Sequence, residues 1–242
     1  MVKLNDNLEL FPNEIKDNKN GINISIKARD LFISPCNATN VGFRSFIKRH
    51  HYSKSINGVK ITQCFKVEYK EKIVGAVLFG QLSTTSWKKF GKSEAEVLEL
   101  RRLVLLDECG KNSESRVVGF CLRWISKNLK NVKVIVSYAD PMHGHSGVIY
   151  RASNFIFLGM TPDDKGFYDP ESNKIYHSRA MRTKYKGEYK PFTERLRAKL
   201  KAGVLKEIIL KGKFCYIYKI KKEKANGQVE LRQTIKQRKN ND

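Results

Sequence analysis

Two periodicities alternate along this chain, and the switches between them outline its elements. Ile22, Ile24 and Ile26 alternate with polar residues, predicting a strand over Ile22–Ala28. Val41, Phe43, Phe46 and Ile47 fall at helical spacing within Asn37–His50. Two strands follow, an alternating one at Ile61–Tyr69 and a continuously apolar one at Ile73–Phe79, with a hairpin turn expected at Glu71-Lys72. A polar loop, Gln81–Glu94, precedes a strand at Val97–Leu106. Val117, Val118, Cys121, Leu122, Ile125 and Leu129 predict the next helix, with Asn112 or Ser113 as its N-cap. A strand at Val132–Tyr138, a short helix at His145–Phe155 and a strand at Ile156–Met160 continue the series. A helix at Thr193–Leu205 and a last strand at Phe214–Ile220 close it.

Strands alternating with helices imply an α/β (α+β) fold: a mixed central sheet flanked by helices, with binding chemistry at the carboxyl ends of its strands. Residues 1–21, rich in Asn, Asp and Lys, read as a loose arm, and 221–242 as a disordered basic tail.

Charge changes the picture. The 242 residues carry 47 Lys and Arg against 24 Asp and Glu, a net of +23. From Arg182 to Asp242 there are 19 basic and 6 acidic residues, a net of +13, so this region is the expected phosphate anchor. Such an excess is best tolerated beside a polyanion, and a nucleic acid is the partner it suggests, a merely solvated basic surface being the alternative. Arg195, Arg197, Lys199 and Lys201 on the expected basic helix are the candidate DNA contacts. Five scattered cysteines without a Cys-x-x-Cys pair suggest a reducing, cytoplasmic setting rather than a disulfide framework. No apolar run approaches the ~20 residues of a membrane span.

Four segments could carry chemistry. A helix start at Lys111, Asn112, Ser113, Ser115 and Arg116 offers free amides and cations to a phosphate or oxyanion, or is an ordinary capped helix. His51 and Tyr52 close a helix, where imidazole can serve as acid, base or ligand, or be solvated by the helix dipole. Asp140 ends an apolar strand and is followed by His143 and His145. It either orients a substrate amine or caps the next turn, and His51, Asp140, His143 and His145 could together ligate a metal. Tyr150 could stack on a base or pack at the core edge.

His51-Tyr52-Ser53, Leu98-Glu99-Leu100-Arg101-Arg102-Leu103, Lys111 to Arg116, Ser137 to Pro141, Gly147 to Asn154 and the Lys211-Gly212-Lys213-Phe214-x-Tyr216 strand stand in an order that resembles the Mom family of bacteriophage DNA-modification proteins. The resemblance covers roughly residues 24–220. It implies a GNAT-like fold, with residues 22–190 as catalytic domain and 191–220 as a basic extension completing it. It also implies double-stranded DNA as the partner and conversion of adenine N6 in phage DNA to a carbamoylmethyl form that evades host restriction, in the host cytoplasm. Sensitive positions carry over as His51, Tyr52, Arg102, Ser115, Asp140 and Tyr150, and bound iron enters as a candidate cofactor. In the mechanism this implies, the adenine is flipped out of the duplex and Tyr52 or Tyr150 stacks on it. Asp140 holds or deprotonates N6, and the Ser115 helix end steadies the donor, with Arg102, Lys111, Asn112, Ser113 and Arg116 binding it. Asn112–Val117 lacks the glycines of an acetyltransferase pyrophosphate loop, which argues against coenzyme A as donor. The alternatives are an acetyl-CoA-dependent N-acetyltransferase acting on RNA, protein or a small amine, and a non-catalytic nucleic-acid-binding protein on the same fold.

Overall fold

The structure is a computed structural model that describes residues 25–56, 58–83 and 85–220. The expected arm (1–21) and tail (221–242), and the start of the first expected strand, lie outside these residues. The central sheet has seven strands in the order β1-β2-β3-β4-β5-β12-β6. In chain order these are β1 (Phe32–Cys36), β2 (Ile61–Tyr69), β3 (Lys72–Gly80), β4 (Val97–Leu105), β5 (Val134–Ala139), β6 (Ile156–Met160) and β12 (Phe214–Lys219). All neighbours are antiparallel except β4 and β5, which run parallel at the centre. The mixed central sheet flanked by helices is the α/β architecture expected.

β3 shows why the layers form. Its Val77 and Phe79 join one cluster, while Ala76 and Leu78 join another on the opposite face. Helix α1 (Val41–His50) brings Phe43, Phe46 and Ile47 to the Ala76–Leu78 side. Its start is fixed by Asn40, whose side chain accepts the Phe43 amide at 2.9 Å. Helix α2 (Ser113–Asn128) brings Val117, Val118, Cys121, Leu122 and Ile125 to the other side. There Phe65 meets Phe79 and Trp124 edge-on, with ring centroids 6.0 and 5.3 Å apart. A strand buried on both faces must read as a continuous apolar run, and β3 does.

Several boundaries differ from the sequence reading, each for a local reason. Among the described residues the first strand is Phe32–Cys36; of the expected Ile22–Ala28 strand, the described part has Ile26 in an isolated bridge to Cys109 and Ala28 opening a 3-10 turn, Ala28–Asp30. Pro35 masks the strand in the sequence, yet an edge position tolerates it. The hairpin turns at Lys70-Glu71, whose φ values of 47° and 63° form the two-residue turn without the usual Asn or Gly. Asn112 precedes α2 in the left-handed region, and no side chain caps that helix.

The segment after β6 is the largest difference. Beside the short helix α3 (Val148–Ala152), the chain builds a second sheet, β11-β7-β8, from β7 (Asp164–Asp169), β8 (Lys174–His177) and β11 (Lys206–Leu210). A two-stranded hairpin, β9 (Lys184–Tyr185) and β10 (Glu188–Tyr189), precedes α4 (Pro191–Lys201). Phe167, Met181, Leu196 and Leu205 give this unit its own small core. The basic helix α4 therefore lies in an insertion between β6 and β12, and β12 returns to the central sheet. Gly203, at φ 75°, ends α4 before Leu205.

Gly147 tests how tightly β12 is seated. It takes φ 77°, and a Cβ there would fall inside the Tyr216 ring. Tyr216 is fully buried, and its hydroxyl donates to the Ser146 carbonyl at 2.8 Å. Gly147→Ala should cost about 2 kcal/mol or more in a denaturant titration, combining backbone strain with overpacking. A loss below about 0.5 kcal/mol, the level of ordinary surface changes, would contradict this packing.

Candidate active site

β4 and β5 pair only from Val97↔Val134 to Leu100↔Ser137. Beyond that point β4 continues on β3, β5 continues on β12, and the two strands part. The Ser137 hydroxyl donates to the Leu100 carbonyl at 3.4 Å across the last pair. The Tyr150 hydroxyl is hydrogen-bonded to Ser137 in turn, and its ring packs against Phe155 and Tyr216 at 5.6 and 5.4 Å. Tyr150 thus braces the fork from within the core, and burial raises the pKa of its phenol.

An open cleft of about 1240 Å³ lies over the parted strands, larger than the usual pocket for a small ligand. Its lining has nine lysines and arginines against three carboxylates, Glu99, Asp140 and Asp164. Strand β4 supplies Glu99, Arg101 and Arg102; the end of β5 supplies Tyr138 and Asp140; the insertion supplies Arg179 and Arg182.

Asp140 caps the next turn, one of the two parts read from its sequence, and is paired with a cation as well. Its Oδ1 accepts the Met142 amide at 3.0 Å, capping the 3-10 turn Pro141–His143, while Oδ2 pairs with Lys213 Nζ at 2.7 Å. Burial favours the neutral acid, but the hydrogen bond and charge of Lys213 and the Met142 amide together hold the carboxyl below its ordinary range. Glu99 behaves oppositely. Burial raises its pKa despite the cations Arg101, Arg102, Lys213 and Arg179 around it, and its nearest ion pair, to Arg101 Nε, is 3.5 Å long. One cleft thus holds two carboxylates with proton affinities driven apart.

His51, Tyr52 and His143 form an aromatic cluster at the cleft edge. The Tyr52 ring lies 4.2 Å from His51, 4.3 Å from His143 and 5.7 Å from His145. Tyr52 nonetheless stays about half exposed and lines the cleft. His51 Nδ1 receives the Ser53 amide at 3.1 Å, so the proton of the neutral ring sits on Nε2. Burial, then the charges of Arg102, His145 and His143, push its pKa down to about 4. His51 is therefore a hydrogen-bond donor at neutral pH, neither a base nor a ready ligand. Arg102 Nε donates to the Ser55 carbonyl at 3.3 Å, tying this turn to β4.

The four expected metal ligands do not fit an iron centre. His51 Nδ1 accepts the Ser53 amide, and the two Asp140 oxygens are held by the Met142 amide and Lys213. Among the described residues no group of three or more His, Cys, Asp or Glu side chains could hold a metal ion.

The start of α2 is not part of this cleft. Lys111 and Asn112 are exposed, Ser113 is buried, Ser115 Oγ donates to the Asn112 carbonyl at 3.1 Å, and Arg116 reaches the Arg29 carbonyl at 3.4 Å. Asn112 nonetheless supplies, at φ 65°, the left-handed turn that a glycine would give a phosphate loop. On α4, Lys199 is spent on Asp169 and Glu171 at 2.8 and 2.7 Å. Arg197 lies 4.4 Å over the Tyr189 ring and donates to the Met181 carbonyl, which leaves Arg195 and Lys201 as the plainly outward-facing pair. The sequence reading passed over Glu99, Arg101, Tyr138 and Lys213. Glu99 had a readable signal, a carboxylate flanked by Leu98 and Leu100 in a strand of core character.

A family model matches residues 31–237. The chain belongs to the Mom protein family. A second comparison gives a Mom relative, the methylcarbamoylase mom of Escherichia phage Mu, 37% identical over 84 residues. That match spans 35% of this chain and 34% of the relative, so the chain aligns with about a third of that protein's length. Solved structures similar to this Mom protein include the ribosomal-protein-S5-alanine acetyltransferase from Vibrio fischeri (TM-score 0.46, 12% identity, 81% of this chain and 96% of that one). Aminoglycoside 6'-acetyltransferase type Ii is another (TM-score 0.43, 11% identity, 80% and 99%). No helix among the described residues is long and apolar enough to cross a membrane.

The buried neutral His51 gives a pH prediction. Its folded pKa of about 4 lies below the unfolded value near 6.5, so its contribution to stability is complete above pH 6.5 and is lost as pH falls toward 4. Other histidines with lowered pKa values act in the same direction, so the comparison must be with a variant. His51→Gln should flatten the fall in melting temperature between pH 7 and pH 5 relative to wild type. Parallel curves for the two proteins would show that His51 is protonated without cost.

Proposed function

We propose that this Mom protein is a transferase that adds a carbamoylmethyl-type group to N6 of adenine in DNA. The observation that carries the reading is the cationic cleft at the β4–β5 fork, lined by an ionised carboxylate, Asp140, and a proton-avid one, Glu99. Family membership and the name of the phage Mu relative support it.

In this reading the cations along β4 and the insertion meet phosphates, and the extruded adenine enters between the parted strands. Adenine N6 is a weak nucleophile because its lone pair is delocalised into the ring. Asp140, kept anionic by Lys213, accepts a hydrogen bond from one N6 proton and orients the amine. As N6 forms its bond to the donor carbon and the leaving group departs with its electron pair, the surplus proton passes to Glu99. A base with raised pKa suits that role better than Asp140, because transfer to it is less uphill. The Nε2–H of His51 and the Tyr52 hydroxyl are donors for charge developing on the transferred group. The start of α2, with Asn112 in its left-handed turn and Lys111 and Arg116 beside it, suits an anionic group of the donor. Because a carbamoylmethyl group joins N6 through its methylene, the donor carries its leaving group on that carbon. Simple acyl transfer from a thioester, which would leave an amide, is not the step.

Glu99→Gln should lower adenine modification by about 10²–10⁴-fold, read by nucleoside mass spectrometry of DNA from producing cells, while DNA affinity stays close to wild type. The wild-type rate should fall as pH drops through the raised Glu99 pKa, since protonation removes the base, and this limb should vanish in the variant. Asp140→Asn should also lose activity, and in addition some stability through the weakened cap and the unpaired Lys213. Full activity in a well-folded Glu99→Gln protein would remove Glu99 from the proton path. An unaltered nucleoside profile from soluble wild-type protein would overturn the function itself.

A further inference from the structure

The hairpin β9–β10 is too small to add much to the fold, yet it is firmly mounted. Its ladder pairs Glu188 with Tyr185 and Tyr189 with Lys184, and the Lys190 amide extends it to the Thr183 carbonyl at 3.1 Å. Lys186 and Gly187, at φ 49° and 87°, make its two-residue turn. At its base Tyr189 is clamped between Lys184 Nζ, 4.7 Å from the ring centroid, and Arg197 Cζ at 4.4 Å. The Thr193 hydroxyl donates to the Ala180 carbonyl at 3.0 Å, locking α4 to the segment that leads into the hairpin.

Tyr185, by contrast, is 66% exposed, flanked by Lys184 and Lys186, with Lys186 Nζ 5.7 Å from its ring. An aromatic side chain left in water on a rigid mount, between two cations, is matched to a partner offering stacking surfaces inside an anionic frame. The hairpin is also close to the cleft. Arg179 and Arg182 line that cleft, and Tyr185 follows Arg182 by three residues, at most roughly 11 Å of extended chain.

We infer that the β9–β10 hairpin is a duplex-DNA wedge: Tyr185 enters the base stack beside the target and fills the space the extruded base leaves. Lys184 and Lys186 hold the flanking phosphates. The inference rests on the reading of the cleft as the site of DNA base modification. Extrusion costs a few kcal/mol for a paired base and least for one already unpaired, so a residue that offsets this cost matters only when the duplex is intact.

The test measures binding of the full-length protein by fluorescence anisotropy to a fully paired duplex and to the same duplex carrying one unpaired adenine. Tyr185→Ala should weaken binding to the paired duplex by at least about fivefold, the lower end of what base–aromatic stacking contributes. On the duplex with the unpaired adenine it should stay within about twofold of wild type. Tyr185→Trp should restore paired-duplex binding. Equal loss on both duplexes, loss on neither, failure of Trp to rescue, or no duplex binding by wild type would each overturn the wedge. Nucleoside analysis of DNA treated with wild type reads modification separately. If no modified nucleoside forms while the binding pattern holds, the modification reading fails and the wedge is supported.

Discussion

The rest of this site depends on one interruption in the sheet, the parting of β4 and β5 after Leu100 and Ser137. Parallel strands are ordinarily buried and continuous, and opening one exposes backbone groups that must be satisfied elsewhere. The chain meets that need by giving each strand a second neighbour, β3 on one side and β12 on the other. A small polar brace at the fork, Tyr150 to Ser137 to the Leu100 carbonyl, fixes where the opening begins. β12 arrives after the insertion, so the fork is complete only when residues 75 to 85 positions apart have met.

Within the fork, electrostatics are set by position along two adjacent strands. Glu99 lies on β4 where the pair is still closed, and desolvation dominates its titration. Asp140 lies just past the end of β5, where a backbone amide and Lys213 can reach it. Two residues of the same chemistry, separated by depth in one cleft, therefore differ in their hold on a proton. The surrounding cations serve both ends of the reaction read here, lowering the potential for phosphates and keeping Asp140 charged. The same cations, with burial, keep His51 neutral, which fits a donor and not a base.

The strands β2, β3 and β4 and both long helices were legible because their periods are clean and long. Phe43–Phe46–Ile47 and Val117–Val118–Cys121–Leu122–Ile125 needed nothing beyond spacing. Asp140 and Tyr52 were legible as site residues because each stands where an element ends. The insertion was not, since Asp164–Asp169 and Lys206–Leu210 mix charge into short strands that bury little, and their pairing is decided by contacts far along the chain. For the same reason Lys199 read as a DNA contact, when its partners Asp169 and Glu171 lie some thirty residues earlier. For Tyr150 the sequence left stacking on a base and packing at the core edge both open, because a helix face alone does not reveal its contacts with Phe155 and Tyr216. Lys213 carries no local signal at all; it matters because β12 lies against β5 and brings it to Asp140.

The central claim is that adenine is modified between the parted ends of β4 and β5. Its most direct test is a crystal structure of the protein bound to an adenine-containing duplex. The account predicts an adenine extruded from the helix into this fork, its N6 within hydrogen-bond reach of Asp140 and facing Glu99. Duplex bound across another face of the sheet, or a fully stacked helix lying over an empty fork, would contradict it.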